Sequence, residues 1–270
     1  MITSQQNERI KWARRLQKQR QKHKKQDTTQ QLILVEGVRL VADALESNVE
    51  PQMIFYSSEM LTKNVQGQYL LEQCLAMPQV DCIDCAPSVL ASLTTTKTPQ
   101  GIVSVVPMPT LPLPIELTMV LILDQIREPG NAGTLLRTAE AAGVELVLFA
   151  PRTVDPFNDK VLRAGMGVHF RLPIRVYEQW DEMLAFLVDW GKPLYLAEQR
   201  ATRPYDDVVW TESCGLIVSG ETIKASDEAD VHATPIMIPM LGQTESLNAA
   251  IAGAVILFEA ARQRRVEVRR

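Results

Sequence analysis

Short apolar runs, each closed by a polar or glycine-containing turn, punctuate the chain and set its predicted elements. Leu32 to Val35 reads as a strand ending at Glu36-Gly37, and Val38 to Leu45 as a helix with Leu40, Val41 and Leu45 turned inward. Met53 to Tyr56, Val80 to Ile83 and Ile102 to Val106 read as further strands, with helices around Leu70–Cys74 and Val89–Leu93. Together these make a small α/β sandwich. Pro107, Pro109, Pro112 and Pro114 then exclude helix and central strand and predict an extended connector. It divides the chain into residues 1–106, a linker over 107–116, and residues 117–270. Beyond it, strands near 119–123, 145–150, 170–176, 193–197, 216–219 and 235–238 alternate with helices. That alternation predicts an α/β fold with a parallel sheet covered on both faces.

The first of these later strands runs into Asp124-Gln125-Ile126-Arg127-Glu128-Pro129-Gly130-Asn131-Ala132-Gly133-Thr134-Leu135-Leu136-Arg137-Thr138-Ala139. A strand that stops at a polar turn and starts a helix, here one ending at Gly143, is where open α/β sheets place ligands. Arg137 is a permanent cation among Leu, Thr and Ala, which suits an anion partner; an ion pair with Glu140 at i+3 is the plainer reading. Asn131 stands where a helix N-cap belongs. Gly133, in the first turn, points to close approach of a second backbone or a ligand. Two more strand-to-turn segments follow, Leu216-Ile217-Val218-Ser219-Gly220-Glu221 and Ile238 to Ala250. In the latter, Ser246 is placed to cap a helix with Leu247, Ile251, Val255 and Phe258 as one apolar stripe.

Charge sharpens the picture. The net charge of −4 hides nine Lys and Arg against two acids in residues 1–30, so this arm carries +7 and the rest −11. A basic arm on an acidic protein suggests a polyanion contact, with a solvated terminus as the alternative. Arg14, Arg15 and Lys18 are its candidate phosphate contacts. Cys82 and Cys85 have C-x-x-C spacing but no second pair or nearby His, which argues for reduced, structural thiols and no metal site. The longest apolar run, Ala249 to Phe258, is too short to span a bilayer, and no apolar core follows the N-terminal charges. A cytoplasmic protein without membrane partners is expected. No G-x-G-x-x-G, P-loop or H-E-x-x-H occurs.

Taken in order, the three segments resemble the signature motifs of the SpoU-type (TrmH-like) RNA ribose 2'-O-methyltransferases of the SPOUT superfamily, with Asn-x-Gly-x-x-x-Arg first and Ser-Leu-Asn last. The resemblance covers essentially the whole C-terminal half. It implies a C-terminal SPOUT domain whose last segment threads a loop to form a deep trefoil knot, working as a homodimer through that domain. Glu36-Gly37-Val38-Arg39 and Gln100-Gly101-Ile102 are similar to motifs of the small α/β RNA substrate-binding domain that precedes it in many such enzymes. The implied cofactor is S-adenosyl-L-methionine, held by Ser219 and Gly220 and by the backbone around Ile238, Met240 and Leu247. Asn131, Arg137, Glu221, Ser246 and Asn248 are the implied catalytic residues, and Arg39 and Arg163 join the RNA contacts. Ser219 and Lys224 stand where the family usually has glycines, a departure in the cofactor loop. The implied activity is 2'-O-methylation of ribose in structured RNA, ribosomal RNA favoured. The alternatives are a transfer RNA 2'-O-methyltransferase and a catalytically silent RNA-binding protein that kept the fold.

Overall fold

The computed structural model describes residues 1–20, 32–62, 64–220 and 224–267, with the side chains of residues 18–20 left aside. Lys22, Lys24, Lys25 and the motif-two Glu221 therefore lie outside the described residues, as does the side chain of Lys18. Contacts divide the chain into two compact units, Met1–Pro109 and Thr110–Arg270.

The first unit runs α1 (Glu8–Arg20), β1 (Leu32–Glu36), α2 (Val38–Glu46), β2 (Met53–Tyr56), α3 (Ser58–Leu61), α4 (Val65–Leu75), β3 (Asp81–Asp84), α5 (Pro87–Ala91) and β4 (Ile102–Pro107). Its four strands lie in the order β1-β4-β2-β3, with only β2 and β3 parallel. The two short motifs of this unit meet at one place. Gln100 Oε1 accepts the Val38 N–H at 2.8 Å, and Gly37 N–H donates to the Ile102 carbonyl at 3.1 Å. Gly37 and Gly101 both have positive φ, 99° and 93°, so the turn needs glycine at each. The basic arm is partly core. Ile10 and Ala13 of α1 are fully buried with Phe55, Val103 and Val105, so this stretch is an integral helix and not a solvated terminus.

The second unit runs β5 (Met119–Asp124), α6 (Pro129–Ala141), β6 (Leu146–Phe149), α7 (Asp159–Gly165), β7 (Ile174–Val176), α8 (Trp180–Trp190), β8 (Leu194–Ala197), β9 (Cys214–Ser219), α9 (Asp227–His232), β10 (Thr234–Ile236) and α10 (Ala249–Glu267). Six strands, all parallel, lie in the order β10-β8-β9-β5-β6-β7. Both faces are covered: Leu121 and Leu123 of β5 face a cluster with α6 and α10, while Val120 and Ile122 face one with α8. Burial on both sides explains why β5 is an unbroken apolar run. The strand expected over 170–176 is shorter. Met166 and Gly167 turn the chain through left-handed backbone, φ 50° and 77°, into a 3-10 turn over Val168–Phe170, so pairing starts only at Ile174.

Candidate functional site

Strand order reverses beside β5, and the turns leaving β5 and β9 are tied together there. Asp124, the last residue of β5, is fully buried; its Oδ2 accepts from Ser219 Oγ at 3.0 Å and from the Ser226 N–H at 2.9 Å. Gly220 N–H donates to the Asp124 carbonyl at 3.1 Å. Gln125 sits at φ 54°, uncommon for a residue with a side chain, and its Nε2 donates to the Lys224 carbonyl at 3.2 Å. A Cβ on Gly220 would lie 2.6 Å from the Gln125 carbonyl oxygen, so only glycine permits this approach. Lys224 Nζ pairs with Asp230 at 2.5 Å. Asp230 beside it, and more weakly Asp227 and Glu198, hold its ammonium above the usual Lys range.

The third segment joins the first through a different contact. α6 begins at Pro129 with Glu128 as N-cap, so Asn131 lies in the first turn and does not cap it. Proline at the first helical position starts the helix two residues early. Asn131 Oδ1 instead accepts from Asn248 Nδ2 at 3.0 Å. Asn248 also caps α10, since its Oδ1 accepts the N–H groups of Ala250 at 3.0 Å and Ile251 at 3.3 Å. The cap expected at Ser246 is therefore at Asn248, and the buried stripe is not the expected one. Ala249, Ala250, Gly253, Ile256, Leu257 and Ala260 face inward, while Ile251 and Phe258 are half exposed. The small residues explain the change, because they let α10 approach α6 until Gly253 lies against Leu135. Gly133 has a comparable role on the other side of α6, where an added Cβ would meet Ala164 Cβ at 2.4 Å.

Arg137 is exposed, two turns into α6, and among the described residues it has no ion-pair partner. The expected pair with Glu140 does not form, because Glu140 is held by Arg171 at 2.5 Å and 3.1 Å. The other candidate cations are more committed. Arg14 donates to the Ser92 carbonyl and to Gln5, Arg39 reaches the buried Asp43 at 2.9 Å, and Arg163 pairs with Asp159 at 3.2 Å. Arg15 is largely exposed, with Glu8 at 4.0 Å.

Beyond the carboxyl ends of β8, β9 and β10 lies a cavity of about 830 Å³. Small-molecule sites run from about 300 to 1,000 Å³. Its apolar wall comes from Leu196, Val218, Ile236, Ile238, Leu247 and Ile256. Ser219, Gly220, Met240 and Ser246 also line it, so motifs two and three converge on one space. Asn131, Arg137 and Asn248 are not among its walls. Three contributors were missed in the sequence: Asp124, Gln125 and Glu198. The first two sit inside motif one, but their partners lie about a hundred residues away. Glu198 follows the carboxyl end of a strand, the one signal that marked it. Among the described residues no group of three His, Cys, Asp or Glu is placed to hold a metal, and no helix is long and apolar enough to cross a membrane.

Comparison with known proteins gives the chain's relatives. Residues 118–258 match the model of the SpoU rRNA Methylase family, and residues 7–104 match that of an MRM3-like substrate binding domain. The chain is 31% identical to the 23S rRNA (guanosine(2553)-2'-O)-methyltransferase RlmP of Bacillus subtilis, over 87% of this chain and 90% of that protein. It is 30% identical to human mitochondrial rRNA methyltransferase 3, over 86% of this chain and 68% of that protein. Among solved structures, an RNA 2'-O ribose methyltransferase superposes with a TM-score of 0.79 at 29% identity, covering 97% and 98% of the two chains. An AdoMet-bound rRNA methyltransferase from Sinorhizobium meliloti superposes at 0.80 with 26% identity, covering 97% of each.

Proposed function

We propose that this chain, which belongs to the SpoU rRNA methylase family, transfers a methyl group from S-adenosylmethionine to a ribose 2'-hydroxyl of ribosomal RNA. The observation that carries the reading is the cavity in which motif two and motif three meet at the carboxyl edge of the parallel sheet. Its apolar walls suit an adenine ring, and Gly220 lies at its edge. Ser219, Gly220, Ile238, Met240 and Leu247 would hold the cofactor, which when bound supplies an electrophilic methyl group.

The protein's part is to bring the hydroxyl to that methyl and to stabilise the charge that develops as its proton leaves. Arg137 serves the second need. Its guanidinium stays protonated, so it acts as a cation on the adjoining phosphate and the developing alkoxide, not as a base. Its exposure, with no ion-pair partner among the described residues, leaves it available for that. The Asn131–Asn248 bond fixes the start of α6, and hence Arg137, relative to the start of α10. The match of residues 7–104 to a substrate binding domain favours RNA capture by the first unit. Ile251 and Phe258, half exposed along one side of α10, favour a homodimer through the second.

The test is methylation of ribosomal RNA taken from cells lacking the gene, with ribose methyl groups mapped by their resistance to alkaline cleavage. One new protected nucleotide is expected. A protein that binds S-adenosylmethionine yet protects no nucleotide would refute the reading.

A further inference from the structure

Three acidic residues line the cavity, and the structure distinguishes them. Asp230 is neutralised by Lys224 at 2.5 Å. Glu245 is exposed, and its carbonyl accepts from Gln199 Nε2. Glu198 is half buried at the cavity wall and forms no ion pair among the described residues. Its backbone is held on two sides. The Glu198 N–H donates to the Ile236 carbonyl at 2.9 Å, which ties it to β10, and its carbonyl accepts the Ala201 N–H at 3.2 Å, which closes a turn. One carboxylate oxygen accepts the Arg200 N–H at 3.3 Å, which orients the group and leaves the second oxygen available.

Two neighbouring polar side chains are engaged. The Ser219 hydroxyl donates to Asp124, and the Gln199 amide donates to Glu245. A nucleoside in this cavity buries two ribose hydroxyls, each a donor that must find an acceptor. A carboxylate is the strongest acceptor available, and an acid at a strand's carboxyl end has this task in other nucleotide-binding sheets. The geometry points to Glu198 as the residue that accepts the cofactor's ribose diol, and so as a determinant of affinity for adenosine-bearing ligands. This inference rests on the cofactor reading given above.

Calorimetric titration of the full-length wild type, Glu198→Ala and Glu198→Gln tests it with three ligands. S-adenosylhomocysteine carries the diol and the ammonium, methylthioadenosine keeps the diol without the amino acid, and 3'-deoxymethylthioadenosine lacks one hydroxyl. Loss of a charged acceptor should weaken S-adenosylhomocysteine and methylthioadenosine alike, by roughly ten- to a hundredfold in Glu198→Ala and less in Glu198→Gln, whose carbonyl still accepts. The 3'-deoxy ligand should bind the wild type more weakly than methylthioadenosine does, and removing the carboxylate should then cost little more. Unchanged methylthioadenosine affinity in Glu198→Ala would overturn the assignment, and a loss confined to S-adenosylhomocysteine would give the carboxylate to the ammonium instead. A wild type that binds none of the three would overturn the cofactor reading and this inference with it. Unaltered thermal unfolding in Glu198→Gln shows that affinity, not folding, has changed.

Discussion

Replacing Gly133 by alanine probes the contact that positions the arginine helix. Alanine is the better helix former by about 1 kcal/mol, so in isolation the change would stabilise α6. The surroundings reverse the sign. The new Cβ would stand 2.4 Å from Ala164 Cβ and 2.9 Å from both the Gly165 nitrogen and the Val161 oxygen. Carbon atoms in ordinary contact sit about 3.5–4.0 Å apart, so α7 must retreat by roughly 1 Å. Two of the obstacles are backbone atoms and the third is a Cβ, none of which can rotate aside. Overpacking of this kind costs about 1–3 kcal/mol, and the upper part of that range applies here, leaving a net loss of about 1–2 kcal/mol. Urea unfolding followed by tryptophan fluorescence reads it directly, because Trp180, Trp190 and Trp210 all lie in the second unit. The midpoint should fall with the slope unchanged. A Gly133→Ala protein as stable as the wild type, or more so, would show that α6 and α7 are not packed backbone to backbone.

Other expectations can be checked one at a time. Arg137→Ala should lower methyl transfer by at least about a hundredfold while S-adenosylhomocysteine affinity stays within about twofold, since this cation acts on the RNA and not on the donor; near-normal turnover would remove it from the mechanism. Arg15→Gln should reduce the slope of log affinity against log salt for RNA by about one, the share of a single phosphate contact, and is a cleaner probe than deleting α1, whose Ile10 and Ala13 are core. Burial pushes the thiols of Cys74, Cys85 and Cys214 up to about 11, so the neutral form prevails at pH 8. Disulfide reagents should then label them slowly in the folded protein and faster only as pH approaches 11; rapid stoichiometric labelling at pH 8 would contradict their burial. Ser219→Gly combined with Lys224→Gly should weaken cofactor binding or leave it unchanged, and tighter binding in that variant, measured by calorimetry, would mean the natural loop is distorted.

The parallel sheet follows from a pattern visible in the chain, because a strand buried on both faces must be apolar throughout, as Val120, Leu121, Ile122 and Leu123 are. Gly133 was also legible, since a helix accepts glycine in its interior only for a reason, and here that reason is the backbone of α7. Capping was not. Asn131 and Ser246 both have side chains suited to a cap, and local preference cannot decide between them and Glu128 or Asn248. The decision came from packing: Pro129 opens α6 early, and the small residues of α10 set its rotation against α6. The apolar stripe through Ile251 and Phe258 fits a helical repeat equally well, yet it faces outward. Periodicity gives the spacing of a face and not which neighbour covers it. Asp124 and Gln125 were hidden for a related reason, since what they do depends on residues 95 and 99 positions away.

The same long-range contacts bear on the two departures in motif two. Glycine is required where φ is positive or where another chain segment comes too close for a side chain. Ser219 does not have positive φ, so that position does not need glycine for its backbone. The close approach falls on Gly220, where the Gln125 oxygen would be 2.6 Å from an added Cβ, and that glycine is retained. Serine at 219 brings something glycine lacks. Its hydroxyl donates to the buried Asp124 carboxylate, which would otherwise keep only the Ser226 N–H on that oxygen, and leaving a buried carboxylate short of donors costs about 1–3 kcal/mol or more. Lysine at 224 offers its backbone carbonyl to Gln125 while its ammonium pairs with Asp230, with which it shares the cavity wall. Ser219, Gly220 and Lys224 are each hydrogen-bonded to Asp124 or Gln125 at the end of β5, and all three line the cavity wall.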